Sequence, residues 1–163
     1  DGMDFELWKK NCVRLITEGS LSALHVMCTV NALCLDSLPA LIDIMVEWKR
    51  TYGPDYPNFT LNILRFPSFQ SAVVLPKRIK DDVAQQLTIK LKLFKDDLHE
   101  MEANQIARLI EYLKTIETPH TGADTIDKLQ RDFKNFYTQY DTRRGKSFEK
   151  TFSNELVTWY EQI

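Results

Sequence analysis

The chain has no apolar run long enough to cross a bilayer, because Asp36, Asp43 and Glu47 interrupt its most hydrophobic region well before the ~20 residues a span requires. The opening stretch DGMDFELWKKN lacks the basic flank and apolar centre of a secretory leader, so a cytoplasmic location is the expectation. Cysteine is scarce, with residues at 12, 28 and 34 only. An odd count without a C-x-x-C pair excludes a zinc ribbon or a thioredoxin-type redox site and leaves small apolar packing as their role. No charge of one sign prevails: 21 basic and 23 acidic residues are mixed along the length, for a net −2. Neither nucleic acid nor an anionic membrane would meet a strong attracting field. Also missing are G-x-S-x-G, Walker A, G-x-G-x-x-G and H-E-x-x-H, so no stand-alone catalytic signature is present.

What is present suits a globular protein. With 163 residues and 44% hydrophobic content, the chain fits one domain or a large part of one. It opens on Asp1-Gly2 and enters a helical pattern at once, with Met only at position 3, as a fragment would.

Phe5, Trp8, Cys12, Leu15 and Ile16 recur at helical spacing, with Asp4 placed to cap the start and Gly19 just past the end. From Leu24 to Asn31 the pattern alternates, with Leu24, Val26, Cys28 and Val30 on one face and His25, Met27, Thr29 and Asn31 on the other. Ser37 is a suitable N-cap for a helix carrying Leu38, Leu41, Ile42, Met45 and Trp48, stopped by Gly53-Pro54. Alternation returns from Phe59 to Arg65, with Thr60 and Asn62 on the polar side. The order helix, strand, helix, strand predicts a βαβ unit with parallel neighbouring strands. A polar face opposite the helix-covered one is what a barrel-like sheet with an inner cavity requires.

After Pro67 the character changes, and the expected boundary separates residues 1–75 from a helical region, 76–163. Ser71 to Leu75 suggests a short extended piece. Pro76 opens a helix on Ile79, Val83, Leu87, Leu91 and Phe94, and a second runs from Leu98 to Ile116. A turn-rich loop at Thr118 to Gly122 precedes an aromatic helix on Phe133, Phe136, Tyr137 and Tyr140, read as core, and a last short helix follows Ser153.

Ligands of parallel α/β sheets gather at the carboxyl ends of the strands. Thr29, Asn31, Asn62 and Arg65 occupy that place and form the candidate binding set. An amide donates and accepts at once, which suits a ribose, an adenine edge or a carboxylate, and a guanidinium suits an anion. The same two asparagines would also serve as strand-end caps bonding the loop backbone. His25, His99 and His120 are too scattered to form a metal site, and His120 reads as a solvated loop residue. Asp97, Glu100 and Glu102 complement a helix N-terminus, and Arg143 and Arg144 a helix end.

The strings TVNALCLDSLPALIDIM, FTLNILRFPSFQSAVVLPKRIKDDV and YDTRRGKSFEKTFSNEL carry a resemblance. Together they resemble the C-terminal half of radical S-adenosylmethionine (radical SAM) proteins with a twitch or SPASM-like C-terminal region. The resemblance implies a partial (β/α)-barrel, with residues 4–65 as its fourth helix, fifth strand, fifth helix and sixth strand. It further implies S-adenosylmethionine and a [4Fe–4S] cluster in a parent protein, a 5′-deoxyadenosyl radical, and a small-molecule or peptide substrate. Thr29, Asn31, Asn62 and Arg65 would then face the adenosine or the substrate. Two departures stand out. The family's cluster triplet, C-x3-C-x2-C, is replaced by C-x15-C-x5-C, so the ligands would belong to an N-terminal half absent from this chain. The family-like Pro-Glu-Leu appears as Asn154-Glu155-Leu156, and no cysteine-rich tail follows. The alternative reading is a non-catalytic α/β-plus-helical binding or interaction module.

Overall fold

The computed structural model of the chain describes residues 3–119, 122 and 124–163. Asp1, Gly2 and His120, on which expectations were placed, lie outside the described residues. Helix α1 (Phe5–Glu18) begins where Asp4 Oδ1 accepts the Leu7 N–H at 2.9 Å and ends at Gly19. Its predicted apolar stripe is left unfinished: Cys12 is buried, Trp8 is half-buried against Trp48 with ring centroids 5.8 Å apart, and Phe5 and Leu15 are exposed.

β1 (His25–Val30) and β2 (Asn58–Ile63) pair in parallel, in register from His25 opposite Asn58 to Val30 opposite Ile63. Helix α2 (Leu38–Tyr52) connects them, so the expected βαβ unit is present. Val30 joins Leu38, Ile42, Met45 and Val46 of α2 in the buried core, and Val26 and Cys28 pack against it. The opposite face stays open: Met27 is 74% exposed, His25, Thr29 and Asn62 are exposed, and Thr60 is half-buried. Ser37 does not cap α2 as expected. Its hydroxyl turns back to the Cys34 carbonyl at 3.1 Å, because Ser37 already has helical φ and ψ.

The two edges of this sheet differ. In a parallel ladder alternate residues point their backbone groups to either side. Leu24 and Val30 carbonyls accept from Asn58 and Leu64, so the β2 residues between them, Phe59 and Leu61, point away from β1. Helix α4 (Glu100–Thr115) meets those outward groups with side chains. Glu102 Oε1 accepts the Phe59 N–H at 2.9 Å, Gln105 Oε1 accepts the Leu61 N–H, and Arg108 Nη2 donates to the Leu61 carbonyl at 3.2 Å. On β1 the same alternation turns the backbone of His25, Met27 and Thr29 outward, and among the described residues no further strand pairs with it. That edge lies in a groove of about 580 Å³ lined by Phe5, Trp8, Leu15, Val26 and Leu41 among others.

The remaining chain is helical. Ser71 to Leu75 is not extended: Ser68–Gln70 and Ala72–Val74 each make one turn of 3-10 helix, and the Ser71 hydroxyl accepts the Val73 N–H at 3.4 Å. The outer edge of β2 is already taken by α4, and local turn bonding prevails over the strand preference of the two valines. Helices α3 (Lys77–Leu93), α5 (Ile126–Arg144), α6 (Phe148–Thr151) and α7 (Asn154–Gln162) follow. Phe133 is fully buried, with ring centroids 4.6 Å from Tyr137 and 5.1 Å from Trp159, whereas Phe136 and Tyr140 of the same predicted core stripe are exposed. A single buried cluster contains Val30 and Phe59 as well as Val83, Leu109, Phe133 and Tyr160, so packing runs across the boundary at residue 75.

Glu102 and Lys49 are 0% and 4% exposed, and their charges meet at 3.1 Å. Glu102→Ala is therefore expected to destabilise the fold by about 3–5 kcal/mol, because it strands a buried ammonium and an N–H of β2. The urea unfolding midpoint checks this, and Glu102→Gln should recover part of the loss because it still accepts from Phe59.

Candidate functional site

The register sets Thr29 directly beside Asn62 on the open face. His25 extends the polar strip, its Nε2 3.2 Å from the Thr60 hydroxyl. Asn31 is used differently. Its Oδ1 accepts from the backbone N–H of Leu33 at 2.9 Å and of Cys34 at 3.2 Å, so its side chain builds the turn that leaves β1. Arg65 is exposed just past β2, near enough to Tyr112 for its charge to oppose the rise that burial imposes on that phenol. The four candidates thus divide into an adjacent pair on the face, a turn former and an exposed cation beyond the strand.

A groove of about 630 Å³ continues the open face across β2 to α4, where Thr60 and Asn62 meet Glu100, Met101, Asn104, Gln105 and Arg108. Met101, Asn104 and Arg108 recur at i, i+3 and i+7 on the side of α4 opposite Ile106, Leu109 and Leu113, which are buried. In the sequence neither Asn104 nor Arg108 was singled out, and Met101 counted with the apolar positions of this helix. The stripe's one legible signal was the pairing of amides and an arginine at helical spacing.

The other polar groups singled out in the sequence have structural work. Asp97 receives Arg50 at 2.9 and 2.7 Å, and this bond holds its carboxyl below the usual range. Glu102 is held by Lys49, Phe59 and its own helix start, where it accepts the His99 N–H at 2.9 Å. Of the three acids near this helix start, only Glu100 lines the groove. Arg143 and Arg144 sit exposed in the last turn of α5, which Gly145 ends with φ +61.

Burial raises all three thiols, and Cys28 is pushed up to about 11, with the nearby Cys34 adding to the effect. Cys34 also donates to the Thr29 carbonyl at 3.4 Å. Among the described residues no three His, Cys, Asp or Glu side chains converge on a metal position. Compared with known proteins, the chain matches no family model, no curated protein and no solved structure.

Two outcomes follow from this geometry. Asn31→Ala should cost about 1 kcal/mol in thermal unfolding, since two turn N–H groups lose their acceptor, whereas Asn62→Ala should change stability by less than about 0.5 kcal/mol. Cys28 favours its neutral thiol in the fold, so stability from this group is full below the ordinary thiol range and is lost as pH rises towards about 11. Alkylation of native Cys28 at pH 8 should accordingly lag behind that of the urea-unfolded chain.

Proposed function

We propose that this chain forms the last strands and closing helices of a partial (β/α)-barrel in a radical S-adenosylmethionine protein. The observation that supports this reading most is the inequality of the sheet edges. β2 is finished by Glu102, Gln105 and Arg108, while among the described residues no strand covers the outer edge of β1, which lies beside the unfinished apolar stripe of α1, the setting a preceding parallel strand would complete. In such a barrel the strip of His25, Thr29, Thr60 and Asn62 would look inward. Thr29 and Asn62 would offer hydroxyl and amide groups to an adenosine or a substrate, with Arg65 at the rim for an anion.

The residues here do not suit a cluster. Their thiols are raised by burial, Cys28 faces the core, and no trio of ligands converges among the described residues. The proposal therefore leaves cluster ligation to an N-terminal half and assigns this chain the cavity wall. A second reading, a non-catalytic binding module, is favoured by the unbroken core from Val30 to Tyr160, which would let the chain stand alone.

The test is the protein expressed from its upstream coding sequence together with this chain. It should contain C-x3-C-x2-C and, after anaerobic reconstitution with iron and sulfide, convert S-adenosylmethionine to 5′-deoxyadenosine. Asn62→Ala should weaken cofactor or substrate use about tenfold, the worth of one hydrogen-bonding amide. An initiator immediately before Asp1, or a reconstituted protein without cleavage, would overturn the proposal in favour of the binding module.

A further inference from the structure

The groove between β2 and α4 lies outside the candidate set apart from Asn62, and its lining is chemically uneven. The side-chain amides of Asn62 and Asn104 have no hydrogen-bond partner among the described residues. Gln105 spends its amide oxygen on the Leu61 N–H, which leaves its NH₂ for the groove. Arg108 spends one nitrogen on the Leu61 carbonyl, which anchors the guanidinium while other donors stay available. Primary amides at Asn62 and Asn104 can each donate to and accept from one peptide group, the pairing that a neighbouring strand would make if the β2 edge were not already taken. Glu100 and Arg108 stand eight positions apart on α4, roughly 12 Å along its axis. An extended peptide covers that distance in about four residues.

We infer that this groove binds a short extended peptide, its amide groups held by Asn62 and Asn104, its carboxylate by Arg108 and its amino end by Glu100. The inference rests on the reading that the open face looks into a reaction cavity, and it names the class of molecule that cavity takes. Six of the seven lining residues carry a polar or charged group, which gives a peptide's amides and ends partners along the groove. The sign of charge at each end fixes the direction, since the reverse orientation would set amine against guanidinium and carboxylate against carboxylate.

The experiment titrates the isotope-labelled 163-residue chain with tetraalanine bearing free ends, followed by NMR. The side-chain NH₂ signals of Asn62 and Asn104 are expected to shift saturably, while those of α5 to α7 stay still. Tetraalanine acetylated and amidated at its ends should bind at least about tenfold more weakly, because two charge-assisted contacts are lost. Asn104→Ala should abolish the saturable shift with an unchanged melting temperature, which separates recognition from folding. Absent or non-saturable shifts, equal binding of blocked and free peptide, or shifts confined to the β1 edge would each overturn the inference. Peptide binding by a protein that fails to cleave S-adenosylmethionine would sink the radical reading alone. Cleavage without peptide binding would sink this groove alone.

Discussion

Glu102 holds the α/β part and the helical part of the molecule in one arrangement. Its carboxylate is fully buried, and it satisfies three donors from three places: the Lys49 ammonium of α2, the Phe59 N–H of β2 and the His99 N–H at the start of its own helix. Lys49 in turn donates to the Pro54 carbonyl at 2.6 Å, closing the loop between α2 and β2. A buried ion pair gains little over apolar residues of the same shape, since desolvation offsets most of the attraction. Its value here is positional. Sliding α4 by one turn would remove the acceptor from Phe59 and strand Lys49, so only one register of α4 on β2 is tolerated.

That register decides what the open face can do. With Glu102, Gln105 and Arg108 directed at the strand, α4 presents Met101, Asn104 and Arg108 beside Thr60 and Asn62. The polar groove is thus a by-product of closing an edge with side chains in place of a strand. A strand there would have spent the same backbone groups without adding amides or a guanidinium. On the β1 edge the Cys34 thiol reaches the Thr29 carbonyl, and the apolar walls from α1 are the ones an added strand would bury.

The sequence made the βαβ unit legible because alternation and helical periodicity were both clear, and because Thr29 and Asn62 lie equally far from their strand ends. It was less informative where a residue's role depends on a partner far away in the chain. Glu102 read as part of a helix start and Gln105 drew no reading, since nothing local shows that N–H groups 43 and 44 positions earlier need acceptors. Ser71 to Leu75 has strand composition without a strand partner. Helix α6, with four residues, is too short to show a period. Asn31 was open to two uses, and the turn claimed its oxygen, as the alternative of a strand-end cap had allowed.

The distance between Glu102 and Phe59 has a consequence for how the molecule is made. The chain emerges from the ribosome at about 5–20 residues per second, so the 43 residues between strand and acceptor take roughly 2–9 s to appear. Through that interval β2 can pair with β1, yet its outer N–H groups have nothing to bond except water or another nascent chain. A pause in synthesis that falls within this interval lengthens the exposed period, whereas a pause after α4 has emerged leaves it unchanged.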